Sequence, residues 1–249
     1  MSGHSKWATT KHRKAAVDQA RAKLFAKLIR QLEVAAREGG ADMDTNPTLR
    51  TMFEKARASS VPMDTIERAI KRGTGDLEGV RYEPVSYEGY GPVGVGVIVE
   101  CLTDNRNRTG AEVRNLFSKN GGSTAEPGAV AWQFARKGVV ELPHDLDEDS
   151  IMEATLDVGA ENLSDDGDRW ELVCAPTDLA AVRNALSDAG IEVLSDELAM
   201  LPSQTVPVHD VTDARKVLRL LEALDEHDDV QNVWSNFEIP DDILAAASE

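Results

Sequence analysis

The apolar residues of this chain change their pattern across Gly73, Gly75 and Gly79. Upstream they recur three and four residues apart, as a helix packed on one side requires. Downstream come short β-rich runs alternating with helical stretches. At 249 residues the chain also exceeds one typical domain. The expected fold class is α+β: a helical N-terminal domain followed by two ferredoxin-like α+β domains, the third inserted in the second.

The spacing predicts a first helix over 15–38, stopped by Gly39-Gly40. Asn46 is expected to cap a second, with Pro47 at its first position and Leu49, Met52, Phe53 and Ala56 inward. Asp64 and Glu67 are read as a D-x-x-E capping box for a third, with Ile66, Ala69 and Ile70 inward and a stop at Gly73. Strands are expected over 93–102, 129–134, 139–142, 170–174 and 230–237, with strand material in 191–208 broken by Pro202 and Pro207. Helices are expected over 107–120, 150–158, 179–189 and 210–226. The domains then span 1–78, 79–136 plus 200–240, and 137–199, leaving 241–249 as a frayed tail.

A net charge of −17 would by itself argue against a polyanionic partner, but the charge is segregated. Residues 1–75 hold 15 Lys and Arg against 8 Asp and Glu, a balance of +7. Residues 76–140 balance at −1, and residues 141–249, with 5 against 28, reach −23. The Debye length at physiological salt is ~8 Å, so the acidic half does not cancel the basic field at a distance. The basic end selects the partner, and the acidic end favours solubility.

With 41% hydrophobic and 29% charged residues the chain can bury real cores. No apolar run approaches the ~20 residues of a membrane helix, and the first residues lack the apolar core of a secretory signal. Cys101 and Cys174, far apart and each within an apolar run, read as buried thiols rather than a disulfide framework. A reduced, cytoplasmic protein without membrane contact is expected.

On the first helix Lys23, Lys27, Arg30 and Arg37 fall within an arc of roughly 80°. Leu24, Leu28, Leu32 and Ala35, with Phe25, Ile29 and Ala36, take the opposite side. Cations at ~5–6 Å intervals suit successive phosphates. Lys6, Lys11, Arg13, Lys14 and Arg21 extend the ladder, and Asp18 is the sole acid in residues 1–30. Trp7 and His12 among these cations are candidates for base or phosphate contact. The competing reading is a solvated helix face with a polar tail; the scarcity of interspersed acids favours the nucleic acid. A second candidate anion site is the loop Asp104-Asn105-Arg106-Asn107-Arg108-Thr109 at a helix start, through Arg106 and Arg108. Its bland alternative is a capped surface turn with Arg108 paired to Glu112.

Other signals carry no chemistry. Gly89, Gly91 and Gly94 satisfy G-x-G-x-x-G but precede a strand and include Pro92, so they mark a turn. Asp165, Asp166 and Asp168 around Gly167 lack the downstream Glu of a calcium loop and read as a hairpin turn. Asp145, Asp147, Glu148 and Asp149 suit a helix start. His4 and His12 have no nearby thiolate, and no metal, cofactor or catalytic residue is assigned.

Six segments resemble the YebC family: GHSKWATTKHRKAAVDQARAKLF from Gly3, SVPMDTIERAIKRGTG from Ser60, YEGYGPVGVGVIVE from Tyr87, TDNRNRTGAEVRNLFSKNGG from Thr103, GAVAWQF from Gly128 and DDVQNVWSNFEIP from Asp228. The resemblance spans nearly the whole chain and implies a helical domain followed by two α+β domains. It also implies a role in gene expression. Bacterial members are described as probable transcriptional regulators that bind DNA. A mitochondrial relative activates translation of a cytochrome oxidase subunit, and bacterial members have been placed at the ribosome, easing synthesis of proline-rich stretches. Thr48 and Met63 stand where relatives carry a basic residue, and Val93 and Gly96 replace a usual Gly and Ala. The expectation is a monomeric, non-enzymatic, DNA-binding transcriptional regulator. The alternative is a ribosome-associated translation factor binding ribosomal or transfer RNA.

Overall fold

The computed structural model describes residues 17–248, with side chains from Arg21 to Ala247. The N-terminal domain consists of α1 (Val17–Gly39), α2 (Pro47–Ala58) and α3 (Met63–Thr74). Leu28, Leu32, Ala35 and Ala36 of α1 meet Leu49, Ala56, Ile66 and Ala69 in one buried cluster. Leu24, expected inward, is 45% exposed. The cause is length: α1 has 23 residues against 12 in each partner, so its first turns project beyond them.

Asn46 fastens two helices at once. Its Oδ1 accepts the Leu49 N–H (3.0 Å) and caps α2, while its Nδ2 donates to the Ala35 and Gly40 carbonyls, both at 2.8 Å. At Gly73 a Cβ would lie 2.4 Å from the Glu33 carbonyl oxygen, so only glycine allows α3 to cross α1 this closely. The capping box expected at Asp64 does not form. Pro62 holds the N-cap position with no side-chain cap, and Asp64, already inside the first turn, pairs with Arg68.

The remaining elements, in chain order, are β1 (Glu83–Tyr90), β2 (Gly96–Thr103), α4 (Arg106–Lys119), β3 (Ser123–Ala125), β4 (Phe134–Pro143), α5 (Glu148–Thr155), β5 (Ala160–Asp165), β6 (Arg169–Cys174), α6 (Leu179–Asp188), β7 (Ser195–Pro202), β8 (Val206–Pro207), α7 (Val211–Asp225), β9 (Val230–Ser235), β10 (Phe237–Glu238) and α8 (Asp241–Ser248). The sheet β5-β6-β4-β7 has the antiparallel order of a ferredoxin-like βαββαβ unit. It is formed by chain lying between β3 and β9. The other sheet, β3-β1-β2-β9, keeps that layout with one change. Its second position, held by β6 in the inserted sheet, is filled by β1, which precedes the βαβ unit in the chain.

The strand β2 is apolar but for Glu100 and the terminal Thr103, because both its faces are covered. Val97, Val99 and Cys101 pack with Val113 and Phe117 of α4 and Val217, Leu220 and Leu221 of α7. Ile98, pointing the other way, joins Trp234 and the inserted domain's Phe134, Val139 and Ala199. The two sheet domains thus share an apolar core. The chain crosses between them twice, and the crossings are bonded to each other: Phe134 pairs with Pro202, and the Ser203 N–H donates to the Gln133 carbonyl at 2.7 Å.

Three further expectations need correction. The segment 129–133 is a turn rather than a strand, which begins only at Phe134, because the Glu88 carboxylate accepts the N–H groups of Gly128 (2.6 Å), Val130 (2.6 Å) and Ala131 (2.8 Å). Val93 lies in the β1–β2 turn at φ 55°, and the strand starts at Gly96. Residues 241–248 are helical rather than frayed, with Ile243, Leu244 and Ala247 packed on the core beside α7. Elsewhere, Asp147 caps α5, and Asp165–Arg169 turns the β5–β6 hairpin through Gly167 at φ +86°.

Candidate nucleic-acid interface

The cations of α1 lie opposite its core face, and the structure brings three of them against the turn between α7 and β9. Lys27 Nζ is 2.9 Å from Asp225 Oδ1 and 3.5 Å from the Gln231 carbonyl. Lys23 Nζ lies 3.4 Å from the Glu226 carbonyl and 3.8 Å from its carboxylate. Arg30 donates to the Asp228 carbonyl, pairs with Asp229 at 3.4 Å, and stacks over the Tyr82 ring at 5.4 Å. Arg37 turns instead to the linker, donating to the Val80 carbonyl at 3.3 Å; its Nη1 is buried with no hydrogen-bond partner. Arg21 sits over the Phe25 ring at 5.3 Å. The ladder is therefore shared between solvent and the chain's own carboxylates: Lys23 remains 35% exposed, whereas Lys27 and Arg30 retain 15% and 18%. Lys6, Trp7, Lys11, His12, Arg13 and Lys14 lie outside the described residues.

The second candidate site also faces an internal anion. Asn105 caps α4 by accepting the Arg108 N–H at 3.1 Å. Arg108 pairs with Asp104 at 2.7 Å and with Asp229 at 3.3 Å rather than with Glu112, which meets His227 at 2.7 Å. Arg106 stays exposed, 3.9 Å from Glu83. Asp229 links both sites: its buried carboxylate accepts from Thr109 Oγ1 at 2.7 Å as well as facing Arg108 and Arg30. Burial opposes its charge, but the hydrogen bonds from Thr109 and Arg108, the Arg30 charge and Thr103 outweigh that and hold its pKa below the ordinary value. Close by, burial, aided by Asp229, pushes the Cys101 thiol up to about 12, against the opposing charge of Lys27.

Sequence reasoning missed the carboxylates of residues 225–229. The only local signal is an acidic run downstream of Arg219 that contains no cation. It also passed over Arg57 and Lys71, exposed at the ends of α2 and α3. Among the described residues no group of His, Cys, Asp and Glu could hold a metal ion, and no helix is long and apolar enough to cross a membrane.

A family model described as the TACO1/YebC protein N-terminal domain matches residues 5–76, and one described as the TACO1/YebC second and third domain matches residues 82–237. A protein of Acidothermus cellulolyticus is 57% identical over 98% of this chain and 99% of its own. One of Kineococcus radiotolerans is 54% identical over the whole of both. Each is named a probable transcriptional regulatory protein. The crystal structure of a conserved hypothetical protein from Aquifex aeolicus superposes with a TM-score of 0.84 at 45% identity, covering 93% of this chain and 96% of that one. With both models and full-length relatives in agreement, this chain belongs to the TACO1/YebC family.

Proposed function

We propose that this protein is a non-enzymatic regulator of gene expression whose helical domain binds nucleic acid, with duplex DNA as the leading partner. The observation that carries the reading is the segregation of charge: a balance of +7 over residues 1–75 in a chain of −17. The cation row of α1 already engages carboxylates at hydrogen-bonding distance, which is the chemistry a phosphate would meet there. The names of the relatives support transcription as the process. The candidate contacts are Lys23, Lys27, Arg30 and Arg37 of α1, Arg21 and the cations of residues 6–14, with Arg106 and Arg108 secondary.

The test measures binding of the full chain to duplex DNA, structured RNA and ribosomes across a salt series. Phosphate contacts make log affinity fall linearly with log salt, and replacing three of them flattens the slope by about three or slightly less. Lys23→Glu, Lys27→Glu and Arg30→Glu together are expected to do this. An unchanged slope removes α1 as the contact surface. Tighter binding to RNA, with co-sedimentation on ribosomes, moves the function to translation.

A further inference from the structure

The α1 cations and the α7–β9 turn meet nearly one to one: Lys23 with Glu226, Lys27 with Asp225, Arg30 with Asp229 and the Asp228 backbone. No Lys or Arg occurs in residues 220–249, so this turn presents carboxylates undiluted by cations. Among the described residues little else joins the helical domain to the sheets. Its core residues all come from α1 to α3 and their connections, and the core beneath β2 contains none of them. Arg37 and Tyr82 contribute contacts to and from the linker, and Arg183 of α6 reaches Glu54 of α2 at 3.3 Å. The joint between the two sheet domains, by contrast, is apolar. One attachment is ionic, weakened by salt and open to competing anions; the other is neither.

We infer that residues 225–229 are an internal competitor for the nucleic-acid face. The carboxylates of Asp225, Glu226 and Asp229 occupy the cation row, a polyanion reaches it only by displacing them, and the helical domain swings off the sheets as it does. This rests on the function proposed above and adds how the site is regulated. Weak or isolated anions do not open the row, because three pairs must be exchanged together. A phosphate backbone offers that many charges at once.

The full-length variant Asp225→Asn, Glu226→Gln, Asp228→Asn tests it by removing the carboxylate partners of Lys27 and Lys23 and the neighbouring Asp228 charge; Asp229 is kept because it also serves Thr109 and Arg108, so the Arg30 pair remains. A control removes three exposed carboxylates from α5 with the same change in net charge: Glu148→Gln, Asp149→Asn, Glu153→Gln. Binding to duplex DNA and to structured RNA is measured by fluorescence anisotropy at physiological salt. Affinity of the first variant is expected to rise about tenfold, as for a site closed roughly nine-tenths of the time, and that of the control much less. A spin-label pair at Ala58→Cys and Asn115→Cys, both exposed, reports the distance between the domains; Cys101 and Cys174 are buried. That distance is expected to lengthen when nucleic acid binds, and in the acid-depleted variant without it. Equal affinity in variant and wild type, or binding at a fixed label distance, overturns the competition alone. Absence of binding by either protein to DNA and RNA at every salt concentration overturns the proposed function together with it.

Discussion

The Arg30 guanidinium and the Asp229 carboxylate, 3.4 Å apart, tie the helical domain to the start of β9. Asp229 is nearly inaccessible, and its charge is held by neighbours from three elements, α1, β2 and α4. Removing it takes one buried anionic partner from Arg30, Arg108 and Thr109 at once. Asp229→Ala is expected to cost about 3 kcal/mol in urea unfolding at neutral pH. A carboxylate with a lowered folded pKa stabilises the protein above the ordinary Asp value of ~4. That contribution is lost as the pH falls through the lowered value, so the gap between wild type and variant should close in acid. A gap independent of pH would remove ionisation from the explanation.

Glu88 is a second carboxylate whose charge the fold favours. Burial opposes its charge, but the N–H groups of Gly128, Val130 and Ala131 prevail and lower its pKa. Glu88→Gln keeps the shape and loses the charge, so about 2 kcal/mol should disappear at neutral pH. The 126–133 turn should become a site of proteolytic cleavage. The difference from wild type should fade as the pH falls through the lowered Glu88 pKa.

Gly73→Ala pushes a methyl group into the Glu33 carbonyl, a backbone atom that cannot rotate away. About 1–3 kcal/mol of helical-domain stability should be lost. Thr74→Ala, one residue on and exposed, is the control and should unfold like wild type.

Ending the chain after Pro240 uncovers the α7 surface on which Ile243, Leu244 and Ala247 rest, and removes the Ala246 carbonyl that Arg215 meets at 2.8 Å. Thermal unfolding should move downward, with about 2 kcal/mol lost. A truncated protein as stable as the full chain would restore the frayed tail.

Where a local pattern governs, the sequence is readable. The α1 stripe of Leu28, Leu32 and Ala35, the Asn46 cap and the Gly40 stop all follow from neighbours a few positions away. The strand β1 does not: EPVSYEGY carries a proline, a glycine and two glutamates, and becomes a strand through β2 on one side and β3 on the other. The Glu88 clasp on 128–131, forty residues away, is equally silent. For the candidate interface, the cationic face of α1 is legible as a stripe. What stands opposite it is not, since Asp225 and Lys27 are 198 positions apart and no periodicity links them. Asp229 is the extreme case, a charged residue buried only because Arg30, Arg108 and Thr109 converge on it.

The bonded crossing at Gln133 and Ser203 determines how the molecule would carry tension. The strand leaving for the inserted sheet and the strand returning from it are joined where they pass, through Phe134–Pro202 pairing and the 2.7 Å bond beside it. A pull on the two ends of the chain travels through the helices and the β1–β9 scaffold and bypasses the inserted sheet until that clasp breaks. Residues 134–202 are then a loop of slack kept out of the load path.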